Sequence, residues 1–171
     1  TQKGCHSKKK IISRIDGYHG GTYLAASLTG IQGTKIGFDT LDGFIHHVSA
    51  ANMYRRPDGM NEEQFCDFLV EEFENRILQL GPDNVAAFIA EPIMGAGGVL
   101  VAPAGYHRRM YDVCKRYDML YIADEVVTAF GRLGEMIASK DIFDIEPDII
   151  CLAKGISSGY IPLGATMISD E

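Results

Sequence analysis

Three short, unbroken apolar runs dominate the second half of the chain: Val85 to Ala90, Met119 to Ala123 and Ile149 to Ala153. An unbroken run lacks the alternation of a strand with one wet face, so each fits a strand covered on both sides. The stretch from Gly105 to Tyr117 sits between the first two and places Tyr106, Met110, Val113, Cys114 and Tyr117 on one helical stripe. Strands therefore alternate with helices, which is the pattern of an α/β domain with a mostly parallel sheet flanked by helices.

The first half is read less sharply. Lys10 to Ile15 fits a short strand, followed by the glycine-rich turn Asp16 to Gly21. Thr22 is placed to cap a helix running to about Leu28. Residues 30 to 60 hold many turn formers and read mostly as loop with one short strand. From Asn61 a long helix is expected. Asn61 and Gln64 have the spacing of a capping box, and Phe65, Phe68, Leu69, Phe73, Ile77 and Leu80 recur at three and four. Gly81-Pro82 ends it. The glutamates of this helix, Glu62, Glu63, Glu71, Glu72 and Glu74, read as its solvated face. Leu163 to Ser169 is expected to be a fourth strand of the second half.

Each of the three apolar runs ends beside an ionisable residue: Glu91, Asp124 and Lys154. Ligands of open α/β sheets bind beyond the carboxyl ends of the strands, so the three side chains are candidates for one cleft. A lysine partly desolvated there can act as an amine nucleophile toward carbonyls. Pyridoxal phosphate is a frequent partner of such a lysine. Its ring nitrogen needs an acidic partner, for which Asp124 is the right residue type, and its ring needs packing, for which Tyr18 and Val126 are candidates. A lone aspartate and a lone lysine this far apart are, by themselves, a weak signal.

Several classes are excluded or disfavoured. Lys plus Arg is 16 against 23 Asp plus Glu, a net charge of -7, which argues against a generic nucleic-acid binder. No run approaches the ~18 apolar residues of a membrane span, so no membrane partner is expected. Cys5, Cys66, Cys114 and Cys151 are far apart, with no Cys-x-x-Cys pair. They read as reduced thiols of an intracellular, cytoplasmic protein rather than a metal or redox site. His46-His47 point to opposite sides of a strand and rarely share an ion, so no metal site is expected. Gly95-x-Gly97-Gly98 lacks the third glycine at the spacing of a dinucleotide fingerprint.

Four motifs, in order, resemble the class III pyridoxal-phosphate-dependent aminotransferases. They are Tyr18-His19-Gly20-Gly21-Thr22 with Ala25 to Gly30; Ala90-Glu91-Pro92 through Gly98; Ile122-Ala123-Asp124-Glu125-Val126 through Arg132; and Pro147 through Lys154-Gly155 with Pro162 to Ala165. The resemblance spans about Lys10 to Glu171, and the first two motifs look closest to the ω-amino acid or amine:pyruvate branch. It implies part of a fold type I large domain, with pyridoxal 5'-phosphate bound as a Schiff base on Lys154. Lys154 would also shuttle the proton of the reaction. Asp124 would pair with the pyridine nitrogen, and Tyr18 and Val126 would pack on the two ring faces. His19 would sit beside Tyr18, as a site wall or in a structural hydrogen bond, and Glu91 would lie near substrate and cofactor. The partners implied are an amino donor, a keto acid acceptor such as pyruvate, and a second copy of the chain in a homodimer or higher homo-oligomer.

Two departures stand out. Ala129 replaces a glycine that many relatives carry before Phe130-Gly131-Arg132. The family is also more than twice as long. Residues 1–171 are thus expected to be the central part of the large domain, without the family's N-terminal segment and C-terminal small domain. The alternatives are a non-catalytic assembly or interaction fragment, or a lyase or aminomutase on the same scaffold.

Overall fold

The computed structural model describes residues 6–41 and 43–170; Cys5 lies outside them. In chain order the strands and helices are β1 (Lys10–Arg14), α1 (Tyr23–Leu28), β2 (Ile45–Val48), α2 (Glu62–Leu80), β3 (Val85–Ala90), β4 (Ile93–Met94), β5 (Leu100–Val101), α3 (Tyr106–Arg116), β6 (Leu120–Asp124), α4 (Ala138–Asp141), β7 (Ile149–Leu152) and β8 (Ala165–Ile168). Six strands form one sheet in the order β2-β1-β3-β6-β7-β8. All neighbours run parallel except β7 and β8. The mostly parallel α/β reading holds, and the fourth strand turns out to be the antiparallel edge.

The register sets the two faces. Ile12 pairs with Phe88, Phe88 with Tyr121, and Ala123 with Ile150. These residues point to the side covered by α2 and α3, in the main core with Phe65, Leu69, Phe73, Met110 and Val113. Phe73 meets Phe88 with ring centroids 4.7 Å apart. Burying side chains of this size contributes ~1.5–3 kcal/mol each. The opposite face carries Ser13, Ile89, Ile122, Asp124 and Cys151. It is thinner: Ile122 and Cys151 are only half-buried, and α1 covers the β1–β2 end, where Ser13 Oγ donates to Leu28 O at 2.7 Å.

The start of α2 is the expected capping box, Gln64 N to Asn61 Oδ1 at 2.9 Å and Asn61 N to Gln64 Oε1 at 3.0 Å. Gly81 ends the helix at φ 80°, a left-handed position that glycine adopts without a Cβ penalty. Three details depart from the pattern. Phe68 lies at the margin of the apolar stripe and is exposed. Thr22 stands at the N-cap of α1, but its hydroxyl makes no cap bond. The α2 glutamates are not simply solvated: Glu72 accepts from Ser49 N and Oγ, Glu74 from Arg116 and Tyr117, and Glu62 from Ala104 N.

Candidate active site

The chain leaves β3 at Glu91-Pro92 and enters a small antiparallel hairpin, β4 with β5. Glu91 is buried, and both carboxylate oxygens are engaged. Oε1 accepts from Tyr18 N at 2.9 Å and Oε2 from Gly95 N at 2.9 Å. One carboxylate thus ties the turn after β1 to the hairpin loop. That turn is tightly seated. A Cβ on Gly30 would lie 2.0 Å from Arg14 O, and one on Gly97 would lie 2.5 Å from Asp16 O. Only glycine at these two positions lets the neighbouring backbones approach.

At the end of β6, Asp124 Oδ2 accepts from His19 Nδ1 at 2.8 Å and Oδ1 from Val126 N at 3.2 Å. Both side chains are almost fully enclosed, at 2% exposure for His19 and 7% for Asp124. A carboxylate that accepts at Nδ1 fixes the proton there. His19 Nε2 is left buried without a partner among the described residues. His19 N in turn donates to Thr29 Oγ1 at 2.9 Å. Thr29 sits in the first motif, where nothing in the sequence marks it as a partner of His19. The next residue, Glu125, is fully buried and accepts from Ser139 N, Ser139 Oγ and Thr128 Oγ1 at 2.5, 2.6 and 2.5 Å. It anchors α4 under the end of β6.

Lys154 follows β7 in a left-handed conformation, φ 44°, a costly one for a residue with a Cβ. Its side chain has no hydrogen bond or ion pair among the described residues. All six candidates from the sequence, Tyr18, His19, Glu91, Asp124, Val126 and Lys154, line one cavity of about 560 Å³. Val126 is half-buried and Tyr18 is 39% exposed. The Gly95-Ala96 loop and Val99 complete one wall.

These residues fit pyridoxal phosphate. A buried carboxylate, an aromatic ring and an isopropyl group line the cavity, and the amine has no competing partner among the described residues. Among the described residues Lys154 is the only lysine or arginine on the cavity lining. No group of three or more His, Cys, Asp or Glu side chains suited to a metal ion occurs among the described residues. Burial and the nearby Asp124 carboxylate raise the Cys151 thiol above its ordinary range, as burial does for Cys66 and Cys114. All three are free thiols. No helix of the described residues is long and apolar enough to cross a membrane.

The comparisons with known proteins agree with one another. The class III aminotransferase family model matches residues 1–171. The probable gamma-aminobutyrate transaminase 2, mitochondrial, of Oryza sativa subsp. indica is 46% identical over 169 residues, 98% of this chain and 34% of that protein. The mitochondrial gamma aminobutyrate transaminase 1 of Solanum lycopersicum is 47% identical, over 98% of this chain and 33% of its own length. Among solved structures, the omega transaminase from Pseudomonas jessenii in complex with PMP superposes with a TM-score of 0.93 at 49% identity, over 98% of this chain and 37% of that one. The chain thus spans about a third of the length of the curated relatives it matches. On the family match and these identities, the chain belongs to the class III aminotransferases.

Proposed function

We propose that the protein moves an amino group from an amine or ω-amino acid to a keto acid acceptor such as pyruvate. Pyridoxal phosphate is the cofactor of the family. The observation that carries the reading is the pairing of an uncommitted lysine, Lys154, with a buried carboxylate, Asp124, across one cavity. The names of the relatives, gamma-aminobutyrate and omega transaminases, support the donor class. When bound, the cofactor supplies an electron sink for the pair left at the amine-bearing carbon. Lys154 Nζ would hold the cofactor and take up the proton released at that carbon. Asp124 would pair with the ring nitrogen, and His19 holds the carboxylate in place. Tyr18 and Val126 would pack against the ring. Glu91 fixes the backbone of the Tyr18 turn and the hairpin loop.

The same reading takes residues 1–171 as the central part of a large cofactor-binding domain, supported by coverage of about a third of each relative. It also takes the working unit as a homodimer or higher homo-oligomer in an intracellular compartment. Some relatives carry mitochondrial names, so the cytoplasm is one compartment among several to test by fractionation.

The test is borohydride reduction of the native protein with pyridoxal phosphate, followed by peptide mass spectrometry. A phosphopyridoxyl group on Lys154 is the expected result. An adduct on another lysine, or none, overturns the reading. Release of ammonia without a keto acceptor would reassign the chemistry to a lyase.

A further inference from the structure

Behind the cavity, on the helix-covered face of the sheet, lies a buried polar group that the proposed reaction does not use. Arg14, at the end of β1, is 1% exposed. Its Nη2 donates to the Glu91 carbonyl at 2.5 Å, and its guanidinium lies 5.9 Å from the Tyr106 ring centre. No carboxylate pairs with it among the described residues, and Nε has no partner. An enclosed charge without a counter-ion costs several kcal/mol, a cost that an apolar residue at position 14 would not incur. His107, on α3, is 2% exposed. Its Nε2 lies 2.8 Å from the Pro92 carbonyl and its Nδ1 lies 3.0 Å from Tyr121 Oη. A carbonyl oxygen only accepts, so Nε2 carries the proton and Tyr121 donates to Nδ1. Two successive carbonyls, Glu91 and Pro92, are therefore each held by a buried side chain. Glu91 is also the residue whose carboxylate caps Tyr18 N and Gly95 N.

We propose that Arg14 and His107 are positioning residues. They clamp the Glu91–Pro92 main chain from behind, so that the Glu91 carboxylate reaches both the Tyr18 turn and the Gly95 loop. Through Tyr121, three residues before Asp124 on β6, the clamp joins the strand of one site carboxylate to the turn of the other. Neither residue touches the cavity. Their effect on catalysis rests on the cofactor-site reading above, whereas their effect on the two loops does not.

The experiment compares the native protein with His107→Phe, His107→Gln and Arg14→Met. His107→Phe keeps the ring volume and removes both ring hydrogen bonds. The glutamine restores a donor for Pro92 O. The main readout is amide hydrogen exchange of peptides covering residues 16–20 and 93–98. We expect exchange there to rise about tenfold in His107→Phe, the scale of one lost buried hydrogen bond, with peptides of α2 unchanged and with recovery in His107→Gln. The second readout is steady-state kinetics, where KM for the amino donor rises more than kcat falls. If Arg14→Met does not fold, the His107 pair decides alone. Native exchange in both loops of His107→Phe overturns the proposal, as does a rise spread evenly over the whole chain. Failure of the borohydride test in the unaltered protein would sink the cofactor reading and leave the exchange result to judge the clamp.

Discussion

The two flanks of the cavity are built on opposite plans. On the β3–β6 flank, the site side chains are enclosed and bonded: Glu91 to two amides, Asp124 to an imidazole and an amide, Glu125 to two hydroxyls and an amide. On the β7–β8 flank, Lys154 is exposed and unpaired among the described residues. The segment after it presents Tyr160, Ile161 and Leu163 to solvent. The contrast matches two physical demands. Groups that orient a ligand work best when they are already held in place. An amine that must attack a carbonyl works best when no carboxylate holds its proton.

Replacing Lys154 by alanine sharpens this contrast most. Transamination is expected to fall about 10³-fold or more, some 4 kcal/mol in barrier. The urea midpoint should barely move, because exposed side chains away from packing contribute within ~0.5 kcal/mol. Activity retained at a tenth of the native rate would break the assignment.

Glu125→Ala probes the firm flank. It strips three short hydrogen bonds from a fully buried site, and unfolding free energy should drop by about 3 kcal/mol. An unchanged denaturation curve would show that this flank is not the rigid one.

Asp124→Asn keeps the shape and removes the charge. A loss of about 10² in kcat is expected, ~2.7 kcal/mol, with a stability change under about 1 kcal/mol. Equal losses of stability and rate would mean that the carboxylate is mainly a strut.

The effect that is smallest per unit of pH is a slope in stability. Burial, then the Arg14 charge, push the His107 imidazole from 6.5 down to about 3. Between those values the unfolded chain binds a proton that the fold refuses. The stability that this group contributes therefore falls as pH drops through that window, by about 1.4 kcal/mol per unit, and is constant above it. His107→Gln lacks this contribution, so its slope in acid titrations monitored by circular dichroism should be shallower. Identical slopes would contradict a neutral, buried imidazole.

Sequence patterns reached the strands and the cavity-lining residues because both follow from local chemistry. Apolar runs marked β3, β6 and β7, and their flanking ionisable groups fell at the strand ends that open on the cavity. The roles of those groups came from family resemblance, since spacing alone left Asp124 and Lys154 a weak pair. Other features were not legible. β4 and β5 have two residues each, too few to show a period, and the glycines between them read as loop. α4 has four residues and is held by the distant Glu125. Arg14 carried a usable signal, since it shares the face of Ile12 at a spacing of two. A basic residue at a strand end is nonetheless read by default as solvated. His107 sits one position off the apolar stripe of α3, and nothing in its neighbours announces Pro92 as its partner.

The order of the sheet also bears on how the chain is made. β1 lies between β2 and β3, so it is made before both of its neighbours in the sheet. Its partner Phe88 follows Ile12 by about 4–15 s at ~5–20 residues per second of synthesis. Of its two neighbours in the sheet only β2 is made during that interval, and the edge that β3 will cover stays open to chaperones or to neighbouring nascent chains. Arg14, at the end of that edge, waits equally long for the Glu91 carbonyl. Until then the nascent strand carries a solvated charge that discourages premature burial.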